Sequence, residues 1–146
     1  MKIIKAASNK KEYMDLLLLA DEQENMINKY LEKGDMFLLI DEGVKAQCIV
    51  TNEGSGVYEL KNIATILKFQ NKGYGKMLIN YILNYYKDCN IMYVGTGDST
   101  LTIPFYKKCG FKESHRVKNF FLDNYDHPIF ENGKQLIDMV YLKWSR

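Results

Sequence analysis

The chain has 146 residues, 47% of them hydrophobic, and a formal charge of +2, which suits one compact domain and is too short for two ordinary ones. So weak a basic surplus, with no arginine-rich or RNP-like run beside it, makes no case for nucleic acid. No apolar run approaches a membrane span, and "MKIIKAASNKKEYMD" scatters charges where a signal peptide would have its apolar stretch, so a cytoplasmic protein with no membrane association is expected.

In chain order, "MKIIKAA" reads as an opening strand and "SNKKEYMDLLLLADEQENMINKYLEKG" as two helices, with Ser8 as N-cap and Gly34 as stop. "DMFLLIDEG" and "VKAQCIVTNEG" follow as strands around the hairpin turn Asp41-Glu42-Gly43, and "VYELKNIATIL" as a third strand after Gly54 to Gly56, which makes an antiparallel meander. A helix from about Gly75 to Lys87 aligns Met77, Leu78, Tyr81, Ile82 and Tyr85 on one stripe, and "IMYVGTG" is a buried-strand candidate after it. A shorter helix over Ile103 to Cys109 leads into "GFKESHRVKNFFL". The turn Glu131-Asn132-Gly133 then enters a closing strand, "QLIDMVYLKW". The expected order is β-α-α-β-β-β-α-β-α-β-β, a mixed α/β (α+β) sheet in a single domain over residues 1–146. Cys48, Cys89 and Cys109 are odd in number and widely spaced with no CxxC, so reduced thiols are expected, with no disulfide framework and no metal site.

Between the third strand and the long helix stands "ATILKFQNKGYGKMLINYIL". Glycines ahead of a helix N-terminus present unpaired amides and a positive dipole end to an anion. A Walker A loop would need Ser or Thr after its lysine, and Met77 follows Lys76; a dinucleotide fingerprint would need glycine where Leu78 stands. The second glycine cluster, "IMYVGTGDST", breaks the GxGxxG pattern at Thr100, which leaves a nucleotide loop there as a weak rival. Gln70-x-x-Gly73-x-Gly75 instead resembles the acyl-CoA signature Q/R-x-x-G-x-G/A of the GNAT superfamily of N-acetyltransferases. "PFYKKCGF" after the next strand resembles the Tyr-x-x-x-Gly-Phe segment that ends the core of that family. The order of elements is similar as well, so the resemblance spans the chain and implies a GNAT-like acyl-CoA N-acyltransferase fold with acetyl-CoA as co-substrate. The loop chemistry agrees: Gly73 and Gly75 let backbone approach a pyrophosphate, and Lys72 and Lys76 offset its charge, with Asn71 and Tyr74 completing the loop.

The resemblance also implies a gap beside the third strand, where the main chain of Ile63, Ala64 and Thr65 pairs with the pantetheine arm and supplies an N–H for the oxyanion. Many relatives carry Asn where Ser99 stands, seven residues before Tyr106; a hydroxyl there still bonds an amide, although Pro104 alters the helix entry. Tyr106 matches the tyrosine that faces the CoA sulfur and is the candidate acid for the leaving thiolate, against the reading of a core tyrosine among eleven. Glu59, eleven residues before Gln70, matches the spacing of a general-base glutamate in some lysine acetyltransferases, and reads equally as an outward strand carboxylate.

In the tail "HRVKNFFLDNYDHPIFENG", His115, Asp123, Asp126 and His127 are candidate acceptor contacts, the carboxylates suiting a cationic amine and each histidine reading also as a solvated surface position. The tail is similar to that of one bacterial subgroup of single-domain members. The resemblance thus implies direct acetyl transfer in a ternary complex to a primary amine, on a small molecule in preference to a protein or peptide, by a monomer or homodimer. A non-catalytic acyl-CoA sensor stays open as the alternative; it would keep Gln70 to Lys76 without needing Tyr106 or Glu59.

Overall fold

A computed structural model describes all residues, Met1–Arg146. Seven strands make the main sheet: β1 (Lys2–Lys5), β2 (Asp35–Ile40), β3 (Val44–Gly54), β4 (Val57–Thr65), β5 (Ile91–Gly97), β6 (Lys112–Val117) and β9 (Met139–Ser145), in the spatial order β1-β2-β3-β4-β5-β9-β6. Every neighbouring pair is antiparallel except β4 with β5. Those two are parallel because α3 (Tyr74–Tyr85) carries the chain back between them. The β2–β3 and β3–β4 turns place Glu42 and Gly43 at φ 53 and 101 and Ser55 and Gly56 at φ 54 and 79, the doubly positive geometry that matches strand twist in tight hairpins.

One sheet face buries a 19-residue core under α3 and α4 (Thr102–Lys108), including Phe37, Val50, Leu60, Val94 and Leu142. The buried stripe of α3 is Leu78, Ile79, Ile82 and Leu83, not the one expected: Met77 and Tyr85 are 37% and 43% exposed. Adjacent apolar pairs four residues apart make a wide stripe whose centre lies between them. Tyr81 and Tyr85 flank it, edge-on to Phe37 at 5.8 and 5.1 Å. The other face carries a smaller core of Leu17, Ile27, Tyr30, Leu31, Met36, Leu38 and Ile49 beneath α1 (Met14–Leu18) and α2 (Glu24–Ile27). Ser8 does not cap this region: a 3-10 turn starts after Asn9 at φ 58, and α1 follows with Tyr13 at its cap position. Lys10 closes the far end, its ammonium donating to the carbonyls of Leu31, Glu32 and Gly34.

One irregularity in β4 sets up the site. Ile49 pairs with Asn62 and Val50 with Leu60, so Lys61 is an extra residue, a β-bulge. The bulge breaks the period of two: Leu60 packs into the larger core, whereas Asn62 faces the opposite side and donates to Leu17 O and the Tyr30 hydroxyl at 3.1 and 3.0 Å. The parallel ladder with β5 ends at the same place, its last pair being Leu60 with Val94. From Lys61 to Thr65 the edge of β4 toward β5 therefore has no strand partner.

The tail departs from the expected long strand. A helix, α5 (Phe120–Asn124), and a small hairpin, β7 (Phe130–Glu131) with β8 (Lys134–Gln135), precede β9, and the turn at Asn132 and Gly133 closes that hairpin without entering β9. Phe121, Ile129 and Leu136 form a third apolar cluster, which draws Leu136 out of strand pairing. No helix is long and apolar enough to cross a membrane.

Several buried tyrosines predict alkaline lability. Burial, first among the causes, pushes the Tyr30, Tyr86 and Tyr106 phenols far above their usual value. The unfolded chain releases these protons near pH ~10 and the folded chain keeps them, so their contribution is intact below ~10 and lost as pH rises, by about 1.4 kcal/mol per pH unit for each tyrosine. Urea unfolding at stepped pH should show stability falling steeply above about pH 10; a flat profile to about pH 11 would show that these hydroxyls titrate freely.

Candidate functional site

After β4 the chain makes a short 3-10 turn at Leu67–Phe69, then passes through Asn71 at φ 63 and Gly73 at φ 87 into α3. The Gln70 side-chain amide donates to Thr65 O at 3.1 Å, tying the loop back to the end of β4. The first helical bond runs from Met77 N–H to Gly73 O at 3.0 Å, which leaves the N–H groups of Tyr74, Gly75 and Lys76 without helical acceptors at the positive end of a twelve-residue helix. Lys72 and Lys76 are exposed beside them. The two glycines do different work. A Cβ on Gly73 would find only Met77 Cε at 3.9 Å, so glycine answers there to φ and not to crowding, whereas a Cβ on Gly75 would stand 3.1 Å from Phe105 Cζ of α4. Tyr74 turns away to donate its hydroxyl to Asp41 Oδ2 at 2.7 Å, a bond that raises its pKa. A loop of free amides flanked by two lysines fits a pyrophosphate.

The loop adjoins the open edge of β4, where Ile63, Ala64 and Thr65 lie. On the α4 side, Tyr106 is 7% exposed and packs edge-on to Phe105 and Phe111 at 5.2 and 5.9 Å. Its hydroxyl has no protein partner, yet it is not among the sealed polar atoms, so it reaches solvent. Pro104 is the third residue of α4; the N–H of Ile103 just before it already bonds Ser99 O at 3.4 Å, so the proline interrupts the helical ladder at the entry turn, where the loss is tolerated. Ser99 is engaged elsewhere: its hydroxyl donates to Glu131 Oε1 at 3.0 Å and accepts from Leu101 N–H at 3.1 Å, so it starts α4 and pins the β7–β8 hairpin.

Across the sheet lies Glu59, its carboxylate Oε2 receiving Lys61 Nζ at 3.0 Å and the Tyr141 hydroxyl at 3.3 Å. His115 stacks on Tyr141 with ring centroids 4.8 Å apart and planes 4° from parallel. The tail bridges this face to the α1–α2 connection. Tyr125 donates to Asp21 Oδ1 at 2.7 Å, and Asp126 N–H donates to Gln23 Oε1 at 3.0 Å. Asp21, its carboxyl held above the ordinary range chiefly by burial, also accepts from Tyr30, which in turn accepts from Asn62 beside the bulge. A polar chain thus runs from the bulge to the tail. The four tail candidates are not gathered: Asp123 is exposed on α5, and Asp126, its side chain 78% exposed, pairs with His127 at 2.6 Å. No group of three or more His, Cys, Asp or Glu side chains is placed to hold a metal ion. The residues missed from the sequence are Lys61, Tyr141, Asp21 and Tyr125, whose roles depend on bulge register or on partners as far as 104 positions away.

Residues 32–113 match the family model described as acetyltransferase (GNAT) domain. The chain is 35% identical to the uncharacterized N-acetyltransferase YvbK of Bacillus subtilis (strain 168) over 135 residues, 90% of this chain and 87% of that one. The crystal structure of a Bacillus subtilis acetyltransferase in complex with CoA superposes with a TM-score of 0.90 at 32% identity, over 99% of this chain and 98% of that one. A GNAT family acetyltransferase from Elizabethkingia anophelis with acetyl-CoA bound superposes at 0.93 and 33% identity, over 99% and 97%.

Proposed function

Because the chain belongs to the GNAT acetyltransferase family, we propose that it moves the acetyl group of acetyl-CoA directly to a primary amine of a small molecule within a ternary complex. The observation that carries this reading is the open edge of β4: the ladder stops at Leu60 with Val94, beside a loop of unpaired amides. The CoA and acetyl-CoA bound by two relatives of similar fold support it. The amides of Tyr74, Gly75 and Lys76, with Lys72 and Lys76, hold the pyrophosphate, and the main chain of Ile63 to Thr65 aligns the arm. Bound acetyl-CoA supplies an activated thioester. Glu59 accepts the proton that the acceptor ammonium must lose, directly or through water, and the Tyr106 hydroxyl faces the sulfur as a donor. Ser99, with its hydroxyl already engaged, contributes shape to the entry of α4.

The acceptor reading favours small molecules because the tail is tied down over this face by Tyr125–Asp21 and Asp126–Gln23, which narrows access for a folded protein or a long peptide. The test is thiol release from acetyl-CoA across spermidine, 2-phenylethylamine, lysine methyl ester, kanamycin and lysine-containing peptides. Turnover with at least one small amine, faster than with any peptide, is expected. Binding of acetyl-CoA without amine-dependent thiol release would favour a non-catalytic sensor.

A further inference from the structure

Tyr141 stands on β9 opposite Gly95 of β5, and its hydroxyl reaches Glu59 on the strand beyond, β4. To do so the ring must pass over β5. A Cβ on Gly95 would lie 3.1 Å from Tyr141 Cζ and 2.5 Å from Met139 Sδ, and Gly95 has no positive φ to explain its identity otherwise. The next glycine repeats the pattern, since a Cβ on Gly97 would lie 2.6 Å from Leu136 Cδ1. The "GTG" of β5 is therefore no phosphate loop: it is the low part of the sheet over which side chains from β9 and the tail cross.

The crossing ring is fixed on two sides, by His115 stacked at 4.8 Å and by Tyr93 edge-on at 6.5 Å. Tyr141 and Lys61 converge on the same oxygen, Oε2, at 3.3 and 3.0 Å. Oε1 takes no protein hydrogen bond and is not sealed. We infer that Tyr141 is a positioning residue which, by reaching over Gly95, fixes Glu59 Oε2 and leaves Oε1 as the atom that takes the acceptor proton. In that step one N–H bond of the ammonium breaks and an O–H bond forms on Oε1. Burial and Glu59 push the Tyr141 phenol up to about 12, so it stays a donor at neutral pH. The inference rests on Glu59 as the base. The charged and titratable groups around Glu59 are Lys61 on its own strand, Glu53 on β3, Tyr93 on β5, Tyr141 and Lys143 on β9 and His115 on β6.

The experiment compares parent, Tyr141→Phe, Gly95→Ala and Glu59→Gln between about pH 6 and 10, with the fastest small amine of the panel above as probe. Tyr141→Phe is expected to lower kcat by roughly 5- to 20-fold, to leave KM for acetyl-CoA unchanged and to show a defect that shrinks toward pH ~10, where the amine deprotonates unaided. Gly95→Ala, which keeps the hydroxyl and displaces the ring, should give the same pattern; should it fail to fold, Tyr141→Phe decides alone. A Tyr141→Phe enzyme with kcat within about twofold of the parent across that range, beside an inactive Glu59→Gln, overturns the positioning role and leaves the base in place. A Glu59→Gln enzyme as active as the parent, or no turnover with any amine, overturns the reading beneath it.

Discussion

Replacing Glu59 by glutamine is expected to lower kcat/KM for the amine by about a hundred- to a thousandfold near pH 7, the range of a positioned general base. The amide keeps the size of the side chain and can accept from Tyr141, so the change removes basicity with little loss of packing. An aliphatic ammonium has a pKa of about 10, so almost none of the acceptor is nucleophilic at neutral pH without help. The defect should therefore shrink as the pH of the assay climbs toward ~10, where the amine deprotonates unaided. A defect of constant size across that range would point to lost binding or orientation, and one below about threefold would return Glu59 to an ordinary strand carboxylate paired with Lys61.

The second large effect is expected from Tyr106→Phe, a fall in kcat of about 10²-fold with CoA affinity nearly unchanged. The ring contacts with Phe105 and Phe111 survive and only the hydroxyl is lost. Its environment sets the size of the effect. Burial raises the phenol well above its usual value, whereas a free thiol titrates near ~8.5, so full proton transfer to the thiolate is uphill. Tyr106 then serves by donating a hydrogen bond to sulfur as negative charge develops, which belongs at the lower end of the range for acid catalysis. With the phenol protonated throughout, the ratio of parent to variant should stay level from about pH 7 to 9.5. A kcat within about twofold of the parent would make Tyr106 a core tyrosine and nothing more.

The geometry of the Gln70 to Lys76 loop was legible in the sequence where its determinants are local. The close contact that keeps Gly75 small comes from Phe105 on α4, whereas Gln70 and Gly73 act locally, through one side-chain bond to Thr65 and one αL cap. Both hairpin turns of the meander were legible for the same reason. The bulge at Lys61 was not, since an extra residue exists only relative to the register of β3, and nothing in "YELKNIAT" marks it. Yet the bulge ends the β4–β5 ladder and turns Asn62 to the opposite face. Tyr141 was hidden in a similar way: its partner Glu59 is 82 positions away, and the signal that accompanies it, Gly95, looked like part of a phosphate loop. The tail misled because "QLIDMVYLKW" alternates like one strand, while Leu136 is held against Gly97 and pairing begins at Met139.

The most direct test of the central claim is calorimetric titration of acetyl-CoA, and separately of ATP, into the parent protein and Gly73→Val. The parent should bind acetyl-CoA one to one and ATP far more weakly. In the variant a β-branched residue must adopt φ near 87°, a strain of about 1–3 kcal/mol that either distorts the amide loop or weakens binding by about tenfold or more, with circular dichroism unchanged. A parent that takes up no acetyl-CoA, or a folded Gly73→Val protein that binds it as tightly as the parent, would contradict the assignment of the Gln70 to Lys76 loop and with it the proposed reaction.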